Sequence, residues 1–218
     1  MLARLYIASV AIALYALGRI APFQLRIRSS REAYEFTASL DPLLLIGWVA
    51  AVSAFWVAFR AAGPPPNQLR PGGLVRRFAG FFVDSMLHLI LLLVPATAFA
   101  LLLEAAATGT FAWHVERSYS RTTDAATVLV GTASMIAFVI IYSFPATRGR
   151  QTPGGVSLGL FLRASDPLTL RRSVGRSLLG LVTLAAGVFT IPAALSRADR
   201  RMWHDLKFNT SVVSAGAA

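Results

Sequence analysis

Long uncharged apolar runs, each about as long as a bilayer is thick, dominate the hydrophobic and polar pattern of this chain. Four of them cover about Leu5 to Ile20, Pro42 to Phe59, Phe78 to Leu103 and Ala125 to Phe144. At 1.5 Å per residue, about 20 apolar residues cross the ~30 Å hydrocarbon core, so each run predicts a transmembrane helix. A fifth apolar segment, about Ser177 to Leu195, is interrupted by Gly180, Gly187 and Pro192. Such a broken pattern suits a re-entrant or interfacial hairpin whose irregular backbone is covered by protein. A plain fifth span bent at Pro192 is the alternative, because glycine and proline are common in membrane helices. The first run reads as a retained span, since its apolar core is long for a signal peptide and no A-x-A site follows.

The polar segments are short. "GPPPNQLRPGG" (Gly63 to Gly73) is a proline-rich connector with no helical future. "QLRIRSSREAYEFTAS" alternates around a polar turn, as a small hairpin would. "RGRQTPGG" (Arg148 to Gly155) reads as a tight turn on Pro153-Gly154, followed by a strand ending near Asp166. The expected fold is therefore all-α: a polytopic membrane helical bundle of four spans plus the broken fifth segment. A short cytoplasmic β pairing of 157–163 with 209–213 completes it. The expected organisation is a two-span hairpin over 1–62, a linker over 63–75, and a membrane domain over 76–218.

Composition agrees with the pattern. The 218 residues are 56% hydrophobic and 14% charged, against about a quarter charged in soluble domains. The net charge is +11, and all but one of the 21 basic residues are arginine. These arginines lie between apolar runs, so the positive-inside rule explains them and nucleic acid is not expected as a partner. Arg60, Arg70, Arg76 and Arg77 follow the second run with no acid among them, and Arg148 to Arg176 hold six arginines against Asp166 alone. The loops Gln24 to Asp41 and Glu104 to Asp124 are balanced. The N-terminus and the two basic linkers are accordingly expected in the cytoplasm. No cysteine is present, which excludes disulfides, thiolate zinc sites and cysteine nucleophiles.

Candidate chemistry begins with "RRFAGFFVD" (Arg76 to Asp84), which opens the most apolar run. A carboxylate at the centre of a spanning helix costs on the order of 2.5–3.5 kcal/mol, so Asp84 must pair with a cation or take up a proton. Arg77 lies two turns earlier on the same face and His88 one turn later, so the three form one polar stripe. That stripe is either an ion or proton site or a clasp between helices. Arg200, Arg201, His204 and Asp205 concentrate charge after the last apolar segment, with Trp203 as an interfacial anchor. His88, His114 and His204 have no ligand spacing, so neither a metal nor another cofactor is expected. No nucleophile and base stand together, so no catalytic residue is expected.

Three blocks in this order resemble the RDD family of bacterial membrane proteins, so called for one arginine and two aspartates. "RRFAGFFVD" is similar to its first block, "RQTPGGVSLGL" to its middle block, and "RRMWHDLKFNTSVV" to its last. The resemblance covers about Leu74 to Val213. It places the arginine at Arg77, with Arg76 close by, and the aspartates at Asp84 and Asp205. Gln151, Thr152, Gly154, Gly159, Arg201, His204 and Thr210 match lesser positions. Gly155 stands where the family usually has lysine, Phe161 where a basic residue is frequent, and "KFN" where it usually has "LAG".

The resemblance implies a multi-pass protein of the bacterial cytoplasmic (inner) membrane. It also implies transport, including sodium/proton exchange. The expected function is a small transporter or cation/proton exchanger using Asp84, with a monovalent cation or proton as its ligand. The alternative is a non-catalytic accessory or scaffolding subunit of a larger membrane complex. Expected partners are the lipid bilayer and either further copies of the chain or that complex.

Overall fold

A computed structural model describes residues 1–20, 24–29, 33–63, 69–120 and 124–215. Residues 64–68 of the proline-rich linker, and Ser30, Arg31 and Glu32 at the turn of the first outer loop, lie outside the described residues. The chain is mostly helical. Its long helices are α1 (Leu2–Ile20), α2 (Pro42–Ala61), α3 (Leu74–Thr108) and α4 (Asp124–Thr147). Short helices follow: α5 (Pro153–Leu158), α6 (Leu170–Ala185), α7 (Gly187–Leu195) and α8 (Trp203–Lys207). Among the described residues, three helices are long and apolar enough to cross a membrane: Leu2–Ile20, Pro42–Ala61 and Leu74–Ala106. Less than a third of each apolar window is buried within the protein. Large apolar side chains instead point outward, with Ile46, Trp56 and Phe99 all at least 60% exposed. This is the surface of a protein solvated by lipid.

Two compact units divide the chain, and the division cuts α1, α2, α3 and α4. The unit of 10–53 and 86–136 carries an antiparallel sheet ordered β1 (Gln24–Ser29), β2 (Ala33–Ser39), β4 (His114–Ser120). Strand β4 comes from the second balanced loop, which has no alternating signal of its own, and pairs residue by residue with β2 from Ala33↔Ser120 to Ser39↔His114. Both loops therefore end on one face, as an even number of helices between them requires. Beneath the sheet, Ala38, Leu40, Leu44, Val94 and Leu101 form a core against Leu17, Trp48 and Ala98. The Trp48 indole N–H donates to the Leu91 carbonyl at 3.3 Å, which gives the ring's polar edge a partner inside the apolar layer.

The unit of 1–9, 54–85 and 137–218 carries the second sheet, ordered β3 (Leu69–Pro71), β6 (Thr210–Ala215), β5 (Leu160–Ala164), all antiparallel. Pro71 sits in the edge strand β3, where a missing N–H costs least. Strand β5 begins at Leu160, because the preceding residues wind into α5 instead of extending from 157. Thr152 caps that helix by accepting the Gly155 N–H, with Pro153 at its first turn. Gly159 ends it in the left-handed region at φ 61°, which lets the chain reverse into β5. The expected tight turn on Pro153-Gly154 is thus a capped helical turn.

The fifth apolar segment is two helices, not one. Helix α6 ends at Ala185 and α7 begins at Gly187, with Ala186 between them departing from helical geometry. The Thr190 hydroxyl donates to the Thr183 carbonyl across this break at 2.8 Å. Two serines fasten α6 to α4: Ser173 Oγ donates to the Ser143 carbonyl at 2.8 Å, and Ser143 Oγ meets Ser177 Oγ at 2.8 Å. Ser143 and Ser173 are buried, so these bonds satisfy their hydroxyls between the two helices.

Candidate functional site

The site is built at the start of α3, in the unit that also holds α5, α6, α8 and the β3-β6-β5 sheet. Every acidic and basic group in it is positioned by a short element from a distant part of the chain.

Asp205 lies third in the five-residue helix α8 and is fully buried. Its Oδ2 accepts the Met202 N–H at 3.4 Å, closing the first turn of α8 on itself. The same carboxylate takes two guanidinium groups: Arg77 from α3, and Arg176 from α6 at 2.6 Å. Thr210 Oγ1 stands 3.3 Å from Oδ1 and receives the Arg176 Nε–H at 3.1 Å. Arg77 also donates to the Arg200 carbonyl at 2.9 Å, and Arg200 is one of two non-glycine residues in the left-handed region among the described residues, φ 50°. Arg77 and Asp205 are 128 positions apart, so this ion pair ties the two ends of the matched blocks together.

Asp84 is closed in separately. It is 2% exposed, and its Oδ1 accepts the Gly154 N–H at 2.6 Å, within the first turn of α5. The Thr152 hydroxyl also hydrogen-bonds to the Asp84 carboxylate. Contact this close requires glycine at 154. A Cβ at Gly154 would overlap the backbone carbonyl of Gly80, one turn before Asp84 in α3. The backbones of α3 and α5 therefore touch, and the amide reaches the carboxylate as a result. Gln151 braces the same turn through its side-chain N–H groups, donating to the Gly155 and Leu160 carbonyls at 3.2 and 2.6 Å. At Gly155 a Cβ would stand 3.1 Å from the Leu160 carbonyl oxygen and 3.2 Å from Thr152 Oγ1.

The predicted residues thus fall into two sets. Arg77 and His204 gather around Asp205, while Gln151, Thr152 and Gly154 gather around Asp84. Arg201 binds main chain, donating to the Thr210 carbonyl at 2.9 Å and to the Asp205 carbonyl oxygen at 3.4 Å. His88 is buried one turn past Asp84 along the helix, but it belongs to the other unit. Arg176 is the residue that sequence reasoning passed over. It lies in one basic stretch with Arg171 and Arg172, and nothing in the spacing singles out the one that turns inward. Among the described residues no group of three or more His, Asp or Glu converges as metal ligands.

Electrostatics follow from this packing. Burial alone would raise the Asp205 carboxyl, but the guanidinium of Arg176, then that of Arg77, overcomes it and holds the group far below the usual carboxylate range. His204 behaves oppositely. Burial pushes its imidazole from 6.5 down to about 4, more than the nearby Asp205 can offset. Between those two values the unfolded chain binds a proton at His204 that the folded chain refuses, so stability rises with pH through this window. Asp205 acts with the same sign at lower pH. We expect the melting temperature in mild detergent to fall by several degrees between pH 7 and pH 4.5, at about 2–4 °C per kcal/mol. His204→Gln should flatten that slope, and an unchanged slope would remove His204 as its source.

A cavity of about 180 Å³ opens between these groups. Arg77, Asp84, Tyr142, Arg176 and His204 line its polar side, and Phe78, Phe81, Val139 and Leu160 its apolar side. Phe81 meets the Tyr142 ring edge to face, with centroids 6.3 Å apart.

The family profile described as the RDD family matches residues 71–209, well over half of the chain and every residue of both sets. No curated protein and no solved structure matches it.

Proposed function

This chain belongs to the RDD family, and on that premise we propose that it is a non-catalytic accessory or scaffolding subunit of a larger inner-membrane complex, its signature residues closing the fold. The observation that carries this reading is the consumption of both aspartates by donors from the same chain. Asp84 is taken up by a backbone amide and a hydroxyl, and Asp205 by two guanidinium groups. A sodium site needs several oxygens turned toward one point and free of positive neighbours, whereas here N–H donors occupy those directions. A structural clasp needs what is observed: buried charges paired and hydrogen-bonded.

The topology fits four spans with the N-terminus in the cytoplasm. Strands β5 and β6 lie in one sheet, so the α6–α7 segment between them begins and ends on one face. That supports a re-entrant or interfacial hairpin over a fifth crossing. The candidate span of α3 is 33 residues, about 50 Å against a ~30 Å hydrocarbon core. The stretch from Ser85 to Leu103, without Asp, Glu, Lys or Arg, suffices to cross, which leaves the turns holding Arg77 and Asp84 at headgroup level and lowers the cost of that carboxylate. The outward-facing apolar surfaces are available to further copies of the chain or to other membrane subunits.

Cation or proton exchange is the second reading, favoured by one observation: Asp84 and Tyr142 line a cavity. Asp84→Asn separates the two. On the scaffolding reading, wild-type proteoliposomes show no cation- or pH-driven flux, and the variant melts lower because a neutral amide accepts the Gly154 N–H more weakly than a carboxylate. Flux in the wild type that Asp84→Asn abolishes without lowering the melting temperature would overturn it.

A further inference from the structure

The cavity at the start of α3 carries more than the clasp uses. His204 is 9% exposed, and its Nδ1 is buried with no hydrogen-bond partner among the described residues. Its Nε2 faces Asp205 Oδ1 at 3.4 Å, which keeps the ring proton on Nε2 and makes Nδ1 a bare acceptor. Gly180 adjoins that nitrogen without a side chain, and a Cβ there would stand in van der Waals contact with Nδ1 at 3.9 Å. Such a buried acceptor takes its donor from outside the chain, from water or a ligand.

Charge on the lining is unbalanced in the other direction. Arg77, Arg150 and Arg176 line the cavity against Asp84, and Asp205 behind Arg77 and Arg176 leaves one positive charge in excess. Arg176 spends Nε on Thr210 and Nη2 on Asp205, so Nη1 keeps its donors without a partner among the described residues. An anion is therefore called for within reach of a hydroxyl donor.

The apolar side supplies the third element. A shallow, mostly apolar groove along the surface of α3, running from Val75 to Ser85, shares Phe78 and Phe81 with the cavity. Val75 is 84% exposed. At about 180 Å³ the cavity is small beside the 300–1,000 Å³ typical of drug-sized ligands, enough for a headgroup but not for chains. Its position on the first turns of α3 is the depth at which lipid headgroups lie.

We propose that this cavity and groove form a specific site for an anionic glycerophospholipid with a free headgroup hydroxyl. The phosphate lies against Arg176 and Arg77, the hydroxyl donates to His204 Nδ1, and an acyl chain runs along the α3 groove. This stands whichever functional reading holds, because a bound lipid serves a scaffold and an exchanger alike.

The experiment uses the full chain in mild detergent, titrated with phosphatidylglycerol and with phosphatidylethanol, an anionic lipid of the same charge that lacks the hydroxyl. Native mass spectrometry counts retained lipid. The wild type should hold phosphatidylglycerol about tenfold more tightly, and His204→Phe, which keeps the ring's bulk but not its acceptor, should make the two lipids equal. Phe82→Asn, on the exposed groove, should weaken both lipids without shifting the melting temperature, which keeps the test alive if His204→Phe fails to fold. Equal retention of the two lipids by the wild type would overturn the proposal, as would Phe82→Asn leaving retention of both unchanged. Displacement by soluble glycerol phosphate as readily as by the lipid would also overturn it, since the ligand would then be a free phosphate ester.

Discussion

Asp205→Ala will cost about 3–5 kcal/mol, because it strands two guanidinium groups that are almost wholly buried. Arg77 and Arg176 have side chains only 10% and 13% exposed, and neither can lose its charge. Thr210 and the Met202 amide lose an acceptor in the same step, so the α8 turn and the start of β6 should loosen together. Thermal melts in mild detergent, with protease sensitivity near Arg200, read this directly. Asp205→Asn should fall between, since the amide keeps an acceptor but not the charge. Adding Arg77→Met and Arg176→Met to Asp205→Leu should recover much of the loss, because a buried ion pair stabilises little beyond a well-packed apolar replacement. A melting curve for Asp205→Ala that superimposes on the wild type would show that the carboxylate does not hold the arginines.

Gly154→Ala will be nearly as damaging, for a steric reason. The new methyl group would occupy the space of the Gly80 carbonyl and press on the Asp84 carboxyl carbon at 3.0 Å. Backbone cannot yield as a side-chain tip can, so α5 must lift off α3 and the amide bond to Asp84 must stretch. Overpacking of this kind costs about 1–3 kcal/mol, and the weakened buried hydrogen bond adds to it. Gly80→Ala is the control. Its Cβ would meet a flexible Leu160 methyl at 3.3 Å and the Gly154 carbonyl oxygen at 3.5 Å. The gain in helix propensity, up to about 1 kcal/mol, largely offsets that crowding. Melting temperatures should therefore rank wild type and Gly80→Ala together, well above Gly154→Ala. The reverse order would mean that α5 does not pack through Gly154.

The long helices were legible because apolar length is a property of each segment alone. The break in the fifth segment was legible only in part: Gly180, Gly187 and Pro192 all mark the run, yet Gly180 and Pro192 lie inside helices and the break falls at Ala186. Asp84 was legible as an expensive residue, and Arg77 and Asp205 as a pair of blocks, but not which group meets which. Partner choice depends on where α5, α6 and α8 pack, and three arginines in one basic stretch are equivalent until that packing selects Arg176. Helix α5 was hidden for a different reason. Thr152-Pro153 is a sound helix start, yet the following Gly154-Gly155 argues against helix, and only contact with α3 explains why glycine is required there. Strand β4 carries no alternating pattern, and its pairing with β2 is enforced by the helices that bring the two loops together.

The order of the second sheet has a consequence for how the protein is made. Strand β6 is central, between β3 and β5, yet it emerges from the ribosome after both. Until Thr210 to Ala215 is synthesised, β3 and β5 have no strand to pair with, and Arg77 waits 128 residues for its carboxylate. Closing so distant a contact is slow, so the helices enter the membrane before this unit can set. Strand β6 completes this unit: a chain interrupted before it would present the unpaired edges of β3 and β5, which quality-control proteases can reach.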